Sequence, residues 1–234
     1  PTKTDPSLSF SISSSSSSEY GTQISSVSYS IIANNGSYTY GPQTGVTWSN
    51  FNFTGGCAST DKTTTTGTLT LSSTYTVGSS SAVSFTCLGS HSAGAIAKDN
   101  AGDNSNPIVQ IAAGTKSNTA TFSKTASYFT YYKVTSGATE DPGSTGWTAV
   151  GSSKVEDIQI SANTGQRIWI ATHGNYSHMY QLNEVSGKYN PEYCETSKLT
   201  NKTLKNTPGY DVSGYTFFGT GARTADTNTK FKLS

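Results

Sequence analysis

The chain has 234 residues, of which about a third are Ser or Thr, 12% are charged and 11% are aromatic. The net charge is +1 and the basic residues are scattered, which excludes the basic stripe on which nucleic-acid binding depends. No apolar run approaches the roughly 18 residues of a membrane-spanning segment. We therefore expect no nucleic acid and no membrane as partners, and the many aromatic residues favour a folded chain over a disordered one.

Short segments of alternating polar and apolar residues follow one another through the first half of the chain. Residues 1–5 are expected to be a linker, and Pro1 in place of an initiator Met indicates a processed product or a piece of a longer chain. Residues 8–12 and 24–31 have the two-residue period of half-buried strands. Asn35-Gly36 then predicts a hairpin turn, because both residues tolerate positive φ. Further strands are expected at 46–53, 68–71, 83–88, 108–111 and 120–122.

The composition changes near Ser123, where serine becomes sparser and a dense aromatic run spans residues 128–134. A turn is expected at Asn163-Thr164-Gly165, and Trp169 lies in the most hydrophobic of the predicted strands. No stretch of ten residues keeps a helical period. Strands are expected in this half at 155–160, 167–171, 210–218 and 229–233.

These patterns predict an all-β fold of two consecutive Ig-like β-sandwich modules with little or no helix. Short strands about 8–12 residues apart, separated by turns rich in Gly and Asn, are typical of sandwiches and barrels. We place a Ser/Thr-rich module at residues 6–122 and an aromatic-rich C-terminal module at residues 123–234.

Two segments carry residue types that bind metals. Asp99 and Asp103 lie in a loop rich in oxygen ligands, which calcium prefers. The loop lacks the full calcium-binding pattern, and Asp and Asn also populate turns for backbone reasons. His173 and His178 could hold zinc, but their spacing dictates no third ligand. We therefore expect no metal and no cofactor, with Asp99 and Asp103 as weak calcium candidates.

The sequence shows no arrangement of residues typical of an enzyme, and we expect no enzymatic activity. A G-x-S-x-G nucleophile elbow is missing. Adjacent acids such as Glu140-Asp141 and Glu156-Asp157 would point to opposite faces of a strand and not across a cleft. Three cysteines are an odd number. A disulfide between Cys57 and Cys87 is conceivable, but buried free thiols are favoured.

Aromatic residues near turns are the remaining candidates for recognition, because an exposed ring can stack on a partner while its polar edge stays in water. Trp147 and Tyr176 lie near predicted turns of the second module. We expect these two residues to contact a glycan or a protein partner, whereas Trp169 is expected in the core.

Several sequence phrases recur in a fixed order from about Gly36 onward: residues 36–46, 91–98, 110–117, 128–132 and 160–170. In this order they resemble a family of virion proteins from tailed phages of gut Bacteroidales, including crAss-like phages. The resemblance implies Ig-like β-domains that build head fibres, capsid decorations or tail appendages, and it implies no catalytic residue. The family pattern leads us to expect an aliphatic residue at position 169, where this chain has Trp169.

The resemblance leads us to expect a non-enzymatic structural protein of the virion surface, either a head fibre or a capsid decoration. Its partners would be its own copies, as a dimer or trimer, and other virion proteins such as the capsid. The second module could also touch host surface glycans. The alternatives are a tail fibre or appendage, a bacterial surface adhesin or carbohydrate-binding module, and a hydrolase with clustered acids or a triad in a cleft.

Overall fold

The computed structural model describes residues 2–14, 16–39, 45–56, 60–62, 65–97, 109–137 and 139–234. Within these ranges the regular structure consists of strands alone, so the prediction of an all-β fold is confirmed. No helix in this part of the chain is long and apolar enough to cross a membrane.

The strands are numbered in chain order. Those that begin before residue 123 are β1 (Lys3–Thr4), β2 (Ser7–Ile12), β3 (Ser18–Glu19), β4 (Gln23–Asn34), β5 (Ser37–Tyr38), β6 (Trp48–Gly55), β7 (Thr60–Lys62), β8 (Thr66–Thr76), β9 (Val83–His91) and β10 (Gly114–Phe122). Those that follow are β11 (Ala126–Ser127), β12 (Phe129–Ser136), β13 (Thr148–Ser152), β14 (Ile158–Ala162), β15 (Gln166–His173), β16 (Met179–Asn183), β17 (Lys188–Tyr189), β18 (Glu195–Lys205), β19 (Asp211–Thr220) and β20 (Thr227–Leu233).

The chain divides into two compact units. Unit 1 comprises Pro1–Ser16 and Gln23–Thr125, and unit 2 comprises Ser17–Thr22 and Ala126–Ser234. The division after residue 125 lies close to the expected boundary at Ser123. The sequence pattern did not indicate that a short segment of the first half, Ser17–Thr22, belongs to the second unit.

Unit 1 is a β-sandwich. One sheet has the strand order β2-β4-β8, and the other has the order β10-β9-β6-β7. Aromatic rings join the two sheets, because Phe53 of β6 lies 5.6 Å from Phe10 of β2 and 4.7 Å from Tyr29 of β4, measured between ring centroids. Large rings fill the space between the sheets that a low hydrophobic fraction of 32% would otherwise leave underpacked.

Hydroxyl groups coat the outer faces of both sheets of unit 1. Side chains alternate between the two faces of a strand, so most apolar residues point inward and the Ser and Thr residues between them point outward; Ile32 of β4 and Leu88 of β9 are exposed apolar exceptions. Facing hydroxyls are hydrogen-bonded across β9 and β10, at 3.1 Å between Ser84 and Thr121 and at 3.0 Å between Thr86 and Thr119. On the other sheet, exposed residues stand opposite one another in the pairs Ser11–Ser30, Ser28–Thr68 and Ser26–Thr70.

Three local expectations for unit 1 differ from the structure. Lys3–Thr4, within the expected linker, forms strand β1. The strand after Gly36 pairs with β1 and not back onto β4, so the predicted hairpin does not form. Gly36 still has the expected positive φ of +72°, and a Cβ there would lie 2.5 Å from the carbonyl oxygen of Thr4. The strand predicted around Val109 is wrong, since Val109 makes a single bridge to Ala97.

Unit 2 is also a sandwich, with the strand orders β13-β12-β15-β19-β18 and β14-β20-β16-β17. The predicted turn at residues 163–165 is present, but it carries the chain from one sheet to the other, because β14 and β15 pair with different strands. The inner core between the sheets contains Ile158, Ile160, Ala162, Ile168, Ile170, Met179, Phe218, Phe231 and Leu233.

The five-stranded sheet of unit 2 also has a buried outer face. Trp169 lies there, completely buried as the sequence predicts, and Gly219 stands directly opposite it on β19. A Cβ at Gly219 would lie 2.7 Å from two carbon atoms of the indole, so only glycine lets the ring lie flat across the neighbouring strand. We call this second core the outer cluster; it contains Tyr131, Trp169, Ala171, Leu204, Val212, Tyr215 and Phe217.

Replacing Gly219 by Ala should destabilise unit 2 by about 1–3 kcal/mol, because the added methyl group overpacks a core that has no room for it. The measurement is urea unfolding followed by tryptophan fluorescence. Gly221→Ala is the matched control, since a Cβ at that position meets nothing closer than 3.6 Å. Equal stability losses in the two variants would show that the indole is not packed as described.

Candidate binding site in unit 2

The segment Ser17–Thr22 docks on unit 2 through backbone hydrogen bonds. Strand β3 pairs in parallel with β11, and the amide of Tyr20 donates to the carbonyl of Ser127 at 3.0 Å. The segment then turns sharply, with the amide of Thr22 donating to the carbonyl of Glu19 at 3.0 Å. Gly21 has a φ of +84° in this turn, and a Cβ there would lie 2.3 Å from the ring of Tyr210. Glycine is therefore required for both the turn and the close approach.

The carboxylate of Glu19 is the main side-chain anchor of the segment. Glu19 is 9% exposed, and its Oε1 accepts hydrogen bonds from the hydroxyl of Tyr131 and, at 3.2 Å, from the amide of Thr207. Burial raises the pKa of this carboxyl group, although the hydrogen bonds from Thr207 act in the opposite direction. A buried acid with this set of donors fixes the segment in one position.

Asn206 holds the other end of the segment. Its amide nitrogen donates to the carbonyl of Tyr20 at 2.6 Å, while its Oδ1 accepts from the amide of Tyr210 at 2.9 Å. The backbone of Asn206 also donates to the carbonyl of Tyr210 at 2.9 Å, so the loop between β18 and β19 is closed on itself. We call the docked segment Ser17–Thr22, together with the hydrogen bonds of Glu19 to Tyr131 and Thr207 and of Asn206 to Tyr20, the clasp.

A groove of about 620 Å³ lies beside the clasp, and its size falls within the usual range of about 300–1,000 Å³ for ligand sites. Trp147 provides its aromatic surface. The indole packs against Phe217, with ring centroids 4.6 Å apart, and its N–H donates to the carbonyl of Gly143 at 2.9 Å. The groove is lined by Thr145, Gly146, Trp147, Thr148, Ala149, Lys205, Asn206, Thr207 and Gly209.

Basic side chains tether the loop that precedes Trp147. The ammonium group of Lys133 donates to the carbonyls of Pro142 and Thr145, the latter at 2.8 Å. The guanidinium of Arg167 donates to the carbonyl of Thr139 at 2.6 Å. Lys202 pairs with Asp141, and this contact lowers the pKa of the Asp141 carboxyl group. The indole of Trp147 therefore extends from a fixed loop.

The two predicted contact residues have different surroundings. Trp147 lines the groove and is half-buried. Tyr176 is also half-buried, but it packs against the inner core of unit 2 and does not line the groove. The structure therefore does not bring the two aromatic residues together in one site.

The histidines and cysteines do not form a metal site in the part of the chain that the structure describes. His173 stacks on Tyr128 with centroids 3.9 Å apart, whereas Nδ1 of His178 lies 2.7 Å from Oε1 of Glu195. Across the described ranges there is no group of three or more metal-ligating side chains. The calcium candidates Asp99 and Asp103 lie outside the described residues.

The free thiols of unit 1 and unit 2 are shielded. Cys87 is a free, fully buried thiol, and burial raises its pKa to about 11. Cys194 is also free, with its pKa raised to about 12 by burial. Cys57 lies outside the described residues. Thiols with such raised pKa values are poor nucleophiles, since the thiolate is the reactive form.

The adjacent acids make ion pairs with basic side chains. Glu140 lies 3.8 Å from Arg167, and Glu156 lies 2.9 Å from Lys232, measured between charged atoms. Asp157 lies 3.6 Å from Lys230. These acids therefore act as ion-pair partners of lysine and arginine side chains.

Sequence reasoning missed Glu19, Asn206 and Thr207. Glu19 follows a run of serines and precedes Tyr20-Gly21, which suggested only a polar loop. A lone acid in a segment otherwise free of charge only weakly indicates a buried anchor. The partners of Glu19 lie more than 100 residues away, and nothing in the sequence identifies them.

Comparisons with known proteins identify no relative of this chain. No family model, no curated protein and no solved structure matches it.

Replacing Glu19 by Ala should release the clasp, because the buried hydroxyl of Tyr131 then loses its acceptor. Leaving such a group unsatisfied costs about 1–3 kcal/mol, which corresponds to a loss of amide protection on the order of 10- to 100-fold at Tyr20. Hydrogen exchange followed by mass spectrometry measures this loss. Glu192→Ala, at an exposed acid of the same unit, is the control. Unchanged protection at Tyr20 in Glu19→Ala would contradict the anchoring role.

The clasp should also weaken as the pH rises. Burial raises the pKa of Glu19 in the folded state, so protonation of this acid adds stability that is fully present below the ordinary value near 4.5 and is lost as the pH rises through the raised value. Protection factors at Tyr20, corrected for intrinsic exchange, should therefore fall above pH 4.5 in the wild type and stay level in Glu19→Gln. The same pH dependence in both proteins would exclude Glu19 as the titrating group.

Proposed function

We propose that this chain is a non-enzymatic structural component of a phage virion surface, as a head fibre or capsid decoration that displays its β-domains on the particle. The observation that carries the proposal is the hydroxyl coat on both outer faces of unit 1. The exposed Ser and Thr hydroxyls can hydrogen-bond to water and supply a polarity that the net charge of +1 does not, which suits a module repeated many times on one shell. The order of sequence phrases that resembles phage virion proteins points in the same direction.

Features inside the units support the same proposal. Each unit has its own aromatic core, and the long edge strand β18 of unit 2 carries three lysines and several register shifts. Lysines and bulges at an edge strand hinder uncontrolled pairing between sheets. Such protection suits a protein that must assemble only through chosen contacts with its own copies, as a dimer or trimer, and with the capsid.

A bacterial surface adhesin or carbohydrate-binding module is the second candidate. The groove beside Trp147 favours it, because this groove combines an indole with hydroxyl groups on an exposed surface. The tail-fibre and head-fibre versions of the first candidate share the same modules and differ in where the protein is attached.

Immunogold labelling of intact phage particles tests the proposal. Antibodies raised against the full chain should label the capsids of particles from a host culture that produces the protein. An antibody against a lumenal capsid epitope is the control for broken particles. Gold at the tail would favour the appendage alternative, and gold on host cells without particles would favour the adhesin. Either result would overturn the head-surface assignment.

A further inference from the structure

We propose that the groove beside Trp147 is a binding site for a neutral oligosaccharide. The proposal goes beyond a structural role on a particle. It does not depend on whether the protein is attached to a virion or to a cell. It rests on the chemistry of the groove lining and on the way in which the groove walls are held in place.

The aromatic surface of the groove is oriented before any ligand arrives. One side of the Trp147 indole packs against Phe217, and its N–H is already bonded to the carbonyl of Gly143. The ring can therefore offer an apolar surface without exposing an unpaired donor. The C–H groups on one face of a pyranose ring fit such a surface, and little side-chain entropy is lost on binding because the indole is already ordered.

Small polar groups surround the indole. Thr145 and Thr148 are exposed groove residues whose hydroxyls can both donate and accept hydrogen bonds. Sugar hydroxyls also both donate and accept hydrogen bonds, whereas an aliphatic ligand does neither and a carboxylate only accepts them. Gly146 and Gly209 add backbone groups without side chains, and this leaves room for a ring to approach closely.

The charge of the groove favours a neutral ligand over an anionic one. Lys205 is the cation of the lining, and its ammonium group is paired with Asp211 at 2.9 Å and also lies 3.4 Å from the carbonyl of Gly209. The pairing neutralises most of its charge. A sulfated or sialylated glycan would therefore gain little from Lys205 and would meet the carboxylate of Asp211 nearby.

The clasp holds part of the groove lining in place. Asn206 and Thr207 line the groove and also hold the segment Ser17–Thr22, through the carbonyl of Tyr20 and the carboxylate of Glu19. The backbone carbonyl of Ser144, which precedes the lining residue Thr145, accepts the N–H of the lining residue Lys205 at 2.8 Å and so joins the two segments that line the groove. A groove with both segments tied by hydrogen bonds is preorganised for a rigid ligand.

Titration of the full 234-residue chain by NMR tests the proposal. The neutral probes are maltohexaose, cellohexaose, mannohexaose and fully N-acetylated chitohexaose, and a heparin hexasaccharide is the acidic probe. At least one neutral probe should shift the indole N–H resonance of Trp147 while that of Trp169 stays in place, because Trp169 is fully buried. Heparin should bind more weakly than that neutral probe.

Two variants test whether Trp147 and the groove carry the binding. Trp147→Ala should weaken it at least about tenfold, as expected for an aromatic anchor. Thr148→Arg leaves the contact between Trp147 and Phe217 intact and fills the groove, so it should abolish binding even if Trp147→Ala folds poorly. Thr224→Arg is the matched control, at an exposed residue that does not line the groove, and it should bind as the wild type does.

Three results would overturn the proposal: no neutral probe binds, binding survives in Thr148→Arg, or heparin binds more tightly than every neutral probe. None of these results would bear on the labelling of phage particles. The failure of the glycan site and the failure of the virion assignment are therefore distinguishable.

Discussion

The hydrogen bonds to the buried carboxyl group of Glu19 are the interactions on which the organisation of unit 2 depends. They link a segment from the first half of the chain to Tyr131 of the outer cluster and to the loop that begins at Asn206. Burying a carboxyl group is unfavourable unless donors surround it, and here a hydroxyl and a backbone amide do so. Because the donors come from distant parts of the sequence, this acid joins elements that no local pattern connects.

The need for the clasp follows from the five-stranded sheet. Both faces of this sheet are apolar, but the second sheet of the sandwich covers only one of them. The outer face carries Trp169, Tyr131, Tyr215 and Phe217, and Tyr20 of the clasp packs against it. Trp147, at the end of the tethered loop, also packs against it. The groove beside Trp147 lies among the elements that provide this cover, so the proposed glycan site and the cover use the same part of unit 2.

Much of the fold could be predicted because strand alternation is a local property. Residues 8–12 and 24–31 formed strands as expected, and Trp169 proved to be buried. Pairing was harder to predict, since the strand after Gly36 joins β1 and the strands around residues 163–165 belong to different sheets. Trp147 was proposed as a contact residue from its position near a predicted turn, and it lines the groove. Glu19 and Asn206 were not predicted, because their roles depend on contacts between residues far apart in the sequence.

Replacing Ser17–Thr22 by a flexible Gly/Ser segment in the full chain tests most directly whether the clasp completes unit 2. Hydrogen exchange, resolved by peptide, would report on the two units separately. We predict that protection falls along β12, β15 and β19, where the outer cluster lies, and that β6 and β9 of unit 1 keep theirs. Unchanged protection in β12, β15 and β19 would contradict the view that unit 2 depends on this segment.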